Sequence, residues 1–315
     1  MSADLRLIFF GNSQSIFSNR LFYPLLDTPC DLVGVVDVPP GKRQSTNPHT
    51  ATNLPSFVDA ARGCGSPTFE PLNPNTPDFI KTLAGLSPDL LLAAGYMYLM
   101  KPPLLSIARL AAVNFHASLL PAYRGLHPVF WALRNGERQA GLTAHVMDPH
   151  FDTGDILYQV QVRTRQRDTV SSLYDRIIEK SVPLVPRLMA DIAKGTLRRI
   201  PQPETGGSYY SSVSDEDFHL DWSNSAESQR RWICTSPGEC WQMVKGRRVY
   251  FMDAQVLPYS GTAHPGVLLH LGRYSATLAT GKDALTVRWV RLEDGDKRSL
   301  SRLCAELGLK IGDIL

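Results

Sequence analysis

Residues 114–156, NFHASLLPAYRGLHPVFWALRNGERQAGLTAHVMDPHFDTGDI, bring an amide, an imidazole and a carboxylate into one stretch. Asn114 and His116 alternate at the end of the apolar run Ala111–Val113, so period-two geometry points both side chains to one strand face. Asp152 follows in Phe-Asp-Thr-Gly-Asp, a glycine-containing loop after a second apolar run, Leu142–Met147, where a carboxylate can fold back onto the imidazole. The three groups suit acyl chemistry. An amide N–H from Asn114 and an imidazolium from His116 would stabilise charge developing on a carbonyl oxygen under attack by an amine. His116, with a free-imidazole pKa of roughly 6.5, would shuttle the proton that the amine sheds and the leaving nitrogen gains. Asp152 would favour and orient the charged ring and pass a proton through a water. Taken singly, each has an ordinary reading: a turn-capping asparagine, a satisfied buried histidine, a loop aspartate before glycine. Their joint spacing favours a site.

The first two thirds of the chain supply elements to position these groups. Strand-like runs at Leu5–Phe10, Leu32–Val38, Asp89–Ala94, Ala111–Phe115 and Leu142–Met147 alternate with helical patterns, one carrying Phe17, Leu21 and Leu25 and another near Pro55–Arg62. Such alternation predicts an α/β fold with a mostly parallel sheet covered on both faces, and functional loops outside the carboxyl ends of its strands. From Asp168 to Gly195 apolar residues recur at helical spacing, with Pro183 and Pro186 kinking or splitting the run. Beyond Pro201-Gln202-Pro203 the pattern changes to short apolar runs punctuated by Gly, Pro, Asp and Ser, which predicts a small barrel or meander. The expected domains are therefore 1–203 and 204–315.

At 315 residues, 43% hydrophobic and 20% charged, the chain can bury a large core. A net charge of +3 permits an anionic partner but lacks the dense basic character of a dedicated nucleic-acid binder. Five scattered cysteines without paired CxxC knuckles indicate neither a disulfide framework nor a zinc site, which fits a reducing cytoplasm. No run reaches the roughly 18 apolar residues of a membrane span, and the N-terminus runs straight into a core-type strand. Gly11-Asn12-Ser13 reads as a tight turn, not a dinucleotide fingerprint, so no nucleotide cofactor is expected. His127, His145 and His150 lack a ligand set at metal spacing and read as helix, strand and loop residues.

The runs NFHASLLPAYRG and GLTAHVMDPHFDTGDI resemble the signature of the folate-dependent formyltransferases, and the weaker HLDWSNSAESQRRWI and GRRVYFMDA extend the likeness into the C-terminal third. The resemblance implies a Rossmann-like catalytic domain, a smaller OB-like barrel, and formyl transfer from 10-formyltetrahydrofolate to an amine, with no metal. It also implies catalytic roles for Asn114, His116 and Asp152. In the related domain that hydrolyses this folate the asparagine position is aliphatic, so Asn114 favours transfer over hydrolysis. A pterin is best read by main-chain groups in an apolar slot. The matching segments are Met97, Leu99 and Met100 after the fourth strand, Ser118-Leu119-Leu120-Pro121, and Asp148 and Phe151 before the aspartate. Met97, Leu99 and Met100 also read as core or hinge packing.

The acceptor stays open. Methionyl-tRNA is the family default, placing the chain in protein biosynthesis with initiator tRNA as partner. Lys42 and Arg43, in the loop PPGKRQSTNPHT, are its candidate contacts, together with Arg124, which holds either an acceptor anion or an ion pair with Asp152 or Asp155. The bulky segment Arg124–Trp131 departs from the small Ala-Ala-Pro pattern of tRNA enzymes and resembles relatives that formylate small amines, such as amino-sugar nucleotides or ornithine-type precursors. A non-catalytic binding relative is the third reading, and no obligate protein partner is expected.

Overall fold

The computed structural model describes residues 5–42 and 55–315. In chain order these form β1 (Leu5–Gly11), α1 (Ile16–Phe22), β2 (Cys30–Asp37), α2 (Phe57–Gly63), β3 (Thr68–Phe69), α3 (Pro77–Gly85), β4 (Leu90–Ala94), α4 (Pro102–Leu105) and β5 (Ala111–His116). There follow β6 (Arg124–Gly125), α5 (Pro128–Arg134), β7 (Gln139–Val146), β8 (Ile156–Arg163), α6 (Val170–Ser181), α7 (Leu184–Ala193) and β9 (Tyr209–Tyr210). The last third contributes α8 (Ala226–Thr235), β10 (Trp241–Val244), β11 (Arg247–Phe251), β12 (Gln255–Leu257), β13 (Leu268–Leu271), β14 (Ala276–Ala279), β15 (Ala284–Val287), β16 (Trp289–Leu292), β17 (Lys297–Ser299) and α9 (Leu300–Glu306).

Seven strands form one sheet in the order β3-β2-β1-β4-β5-β7-β8. The first five run parallel, and β7 pairs antiparallel with both β5 and β8. Successive residues Ile8, Phe9 and Phe10 are all fully buried, so both sheet faces are covered, as the continuous apolar runs of β1 and β4 require. The strand β8 was not anticipated from the sequence, although its YQVQVR alternation matches an edge strand with one half-buried and one exposed face. Local signals place the helices: Ser56 caps α2 by accepting the Asp59 N–H, and Pro183 begins α7, splitting the expected long helix.

Two compact units emerge. The first comprises residues 1–129, 139–163 and 173–211, and the second 130–138, 164–172 and 212–315. The first is built around the parallel sheet, with Ile8, Phe10, Val36, Leu91 and Leu104 in one of its apolar clusters. The second has two four-stranded antiparallel sheets, β10-β11-β16-β17 and β12-β15-β14-β13, around a core that includes Val249, Phe251, Leu278, Leu285, Val290 and Leu303. In the parallel sheet β1 lies between β2 and β4, so the strand order reverses there, the place at which open α/β sheets bind ligands outside the carboxyl ends of their strands.

Candidate active site

Strand β5 carries Asn114 and His116 on one face, and the antiparallel register sets His145 of β7 directly opposite Asn114. The loop between β7 and β8 folds Asp152 onto this face. Its Oδ2 lies 3.5 Å from His116 Nδ1 and accepts the Gly125 N–H at 2.9 Å. Its Oδ1 accepts from Asn114 Nδ2 at 3.2 Å and lies 3.3 Å from His145 Nε2. Asp152 is therefore the hub of a buried four-residue cluster, with His116, His145 and Asp152 all under 10% exposed.

Hydrogen-bond chemistry assigns the protons. His116 Nε2 is 2.7 Å from the Tyr123 carbonyl, which can only accept, so Nε2 carries a proton and Nδ1 faces Asp152. His145 Nδ1 likewise donates to the Val146 carbonyl at 2.9 Å. Its Nε2 then accepts from Asn114 Nδ2 at 3.1 Å when the ring is neutral, or donates to Asp152 when it is charged. Burial pushes His116 below the ordinary imidazole value, against the pull of the Asp152 carboxylate and the Tyr123 carbonyl. Asp152 is held down to about 2: burial opposes ionisation, but His116, the His145 hydrogen bond and the Gly125 N–H outweigh it. A buried carboxylate thus faces the ring nitrogen that the Tyr123 bond leaves free, so a proton placed on Nδ1 would lie between His116 and Asp152.

The turn that follows β5 is built to aim these groups. Buried Thr143 donates to the Ser118 carbonyl at 2.7 Å and accepts the Leu120 N–H at 3.1 Å, while Ser118 Oγ donates to the Ala122 carbonyl. The Leu120–Pro121 peptide is cis. Tyr123 and Asp152 take left-handed φ values of 60° and 58°, conformations uncommon outside glycine. Gly125 has φ 90°, and a Cβ there would lie 2.3 Å from the Tyr210 carbonyl, so only glycine brings its N–H to Asp152. Arg124 donates through Nε (3.2 Å) and Nη2 (2.7 Å) to the neutral Gln202 side-chain oxygen, not to Asp152 or Asp155.

Among the residues read as folate contacts, Met97 and Phe151 expose 40% and 42% of their surface, enough to offer apolar area to a flat ring. Leu99, Leu119, Pro121 and Asp148 are half-buried, and Ser118, Leu120 and Met100 are buried. Met100 packs in the apolar cluster, as its alternative reading held. Asp148 shapes its own loop, accepting the His150 N–H and the Thr153 hydroxyl. The turn after β1 is closed by protein groups, with Ser13 N–H donating to Asp37 Oδ1 and Gln14 N–H to Asn12 Oδ1. His127 sits at φ 53° and is pushed down by burial. The side chain of Lys42 and all of Arg43 lie outside the described residues. Among the described residues no group of three His, Cys, Asp or Glu is placed to hold a metal, and no helix is long and apolar enough to cross a membrane.

Two residues that touch Asp152 or its loop are not assigned to the site from the sequence: His145, which reads as a strand residue and joins Asn114 only through the β5–β7 register, and Gln202, which reaches the Asp152 loop from 50 residues away. The Pro-Gln-Pro setting of Gln202 is the sole local signal for it.

Residues 6–189 match the family model described as "Formyl transferase", and residues 212–307 match "Formyl transferase, C-terminal domain". The methionyl-tRNA formyltransferase of Desulfotalea psychrophila is 31% identical over 313 residues, covering 98% of this chain and 94% of that protein. The crystal structure of WlaRD, a sugar 3N-formyl transferase, superposes with a TM-score of 0.65 at 14% identity over 94% of this chain and 98% of that one. HypX from Aquifex aeolicus, solved with tetrahydrofolic acid, gives 0.61 at 19% identity over 98% of this chain and 49% of that one.

Proposed function

The chain belongs to the formyl transferase family, and from that premise we propose that it moves a formyl group from 10-formyltetrahydrofolate to the amine of methionyl-tRNA. The observation that carries the reading is the convergence of Asn114, His116 and Asp152 at one end of β5, inside the segment that matches the family. The folate supplies the formyl carbon when bound, and the exposed Met97 and Phe151 suit its flat head. Asn114 offers an N–H to the formyl oxygen, giving up its 3.1 and 3.2 Å bonds to His145 and Asp152. The proton shed by the attacking amine is taken at the His116–Asp152 pair and returned to the departing nitrogen as its bond to carbon breaks. Asp152 stays ionised and compensates the charge that His116 acquires.

Methionyl-tRNA is preferred over a small amine on two grounds. The full-length likeness is to a tRNA formyltransferase. Two of the bulky residues that favoured a small acceptor are spent on packing, Val129 and Phe130 being 2% and 6% exposed, while Leu126 is exposed. We assign residues 1–203 to formyl transfer and 204–315 to the C-terminal part, with Arg124, Lys42 and Arg43 as contacts for the acceptor's phosphates. The test offers 10-formyltetrahydrofolate with methionyl-tRNA and, separately, with amino-sugar nucleotides and ornithine-type amines, and follows products by mass spectrometry. Formyl-methionyl-tRNA is the expected product. A formylated small amine in its absence would replace this acceptor.

A further inference from the structure

Residues 200–210 are fastened to the first unit at both ends. Ile200 exchanges two main-chain hydrogen bonds with Ile156 at 2.9 and 2.8 Å. Ser208 accepts the Arg124 N–H on its carbonyl (2.9 Å) and the Tyr123 N–H on its hydroxyl (2.8 Å), and Tyr210 accepts the Leu126 N–H at 2.9 Å. Between these anchors lies Gln202, flanked by Pro201 and Pro203, which hold its backbone extended before any contact forms. Its Nε2 donates to the carbonyls of Asp152 and Gly154, both at 2.8 Å, and its Oε1 accepts both Arg124 bonds.

We propose that Gln202 is a positioning residue for formyl transfer, one amide that clamps the Asp152 loop to the Arg124 turn and so fixes the carboxylate against His116. The proposal rests on the function argued above. Only a primary amide of this length supplies two donors, here to the carbonyls of Asp152 and Gly154, and an acceptor to a guanidinium. The carbonyls it grips belong to a loop whose aspartate holds φ 58°, a backbone state that persists only when surrounding contacts enforce it. Gln202 therefore acts through Asp152 without touching the reacting atoms. Its other end holds Arg124 by a neutral oxygen, which leaves the guanidinium charge available to an anion on the acceptor.

The test uses the full-length chain with Gln202→Met, which removes both ends of the clamp, and Gln202→Glu, which keeps an oxygen for Arg124 but loses the donors to the two carbonyls. Turnover is measured where urea midpoints and circular dichroism show every protein fully folded. The titration of ring-labelled His116 is followed by NMR without substrate. Both variants should lose about 10- to 100-fold in kcat, with KM for folate little changed and the His116 midpoint displaced. Wild-type kcat in Gln202→Glu would overturn the clamp, because the donor half would then be idle. A kcat loss with an unmoved His116 titration would also overturn it, reducing Gln202 to a fold residue. Failure of the unsubstituted protein to formylate any amine would instead refute the assigned reaction, and the His116 titration would still decide the role of Gln202.

Discussion

At the level of single residues the cluster is an exercise in keeping one carboxylate ionised while buried. Asp152 is held at about 2, below its ordinary 3.8. Its ionised form therefore stabilises the native state fully above the unfolded value, and this contribution is lost as pH falls from about 4 through about 2. His116 is also depressed, so the native state prefers its neutral ring, and stability is lost as pH drops below the ordinary imidazole range. Urea unfolding from pH 7 to pH 2 should accordingly show wild type losing on the order of 2 kcal/mol more than Asp152→Asn across the lower window. Parallel stability curves for the two proteins in that window would remove the assigned ionisation. The residues of this site were legible in sequence to different degrees. Asn114 and His116 share a face by period two, and Asp152 stands in a recognisable loop, so local rules reach them. His145 lies 31 residues from Asn114 and joins it only through strand register, which no local pattern encodes.

At the level of elements, the β7–β8 connection delivers the carboxylate, and its geometry depends on one atom's absence. A Cβ on Gly154 would stand 2.0 Å from the Val146 carbonyl oxygen, inside any tolerable contact with backbone. Gly154→Ala should therefore destabilise the fold by on the order of 3 kcal/mol and lower turnover further by shifting Asp152. Gly85→Ala, where nothing lies within 4 Å, serves as the control and should stay within about 0.5 kcal/mol of wild type. Equal urea midpoints for the two variants would show that the connection yields more readily than its geometry implies. Five of the seven sheet strands were readable as apolar runs bounded by turn residues, because strands buried on both faces, the four parallel ones and antiparallel β7 alike, cannot hide their composition. Strand β3, two residues long, and edge strand β8 were not so read, the first being too short to carry a pattern and the second presenting polar residues to solvent.

At the level of the whole molecule, the second unit is assembled from three separate stretches. Phe130 meets the Phe218 ring at 5.4 Å, the Arg134 carbonyl accepts the Trp232 indole N–H, and Arg230 reaches the Gln166 carbonyl at 2.8 Å. A fragment ending at residue 211 thus retains two stretches, 130–138 and 164–172, whose partners Phe218, Arg230 and Trp232 it lacks. It should bind hydrophobic dye and elute as aggregates, with both defects relieved by supplying residues 212–315 in trans. A monomeric, dye-silent fragment would contradict this. Sequence composition marks a change of character near residue 204 but not the two earlier excursions, because a short helix or loop reads the same whichever core receives it. The same interleaving sets a schedule during synthesis. Residues 130–138 and 164–172 leave the ribosome well before the stretch that supplies Phe218, Arg230 and Trp232, a wait on the order of 5 to 20 s at usual elongation rates. Phe130 lacks its Phe218 partner throughout that interval, so slowing translation of the final third should lower the yield of folded chain unless something else shields that ring meanwhile.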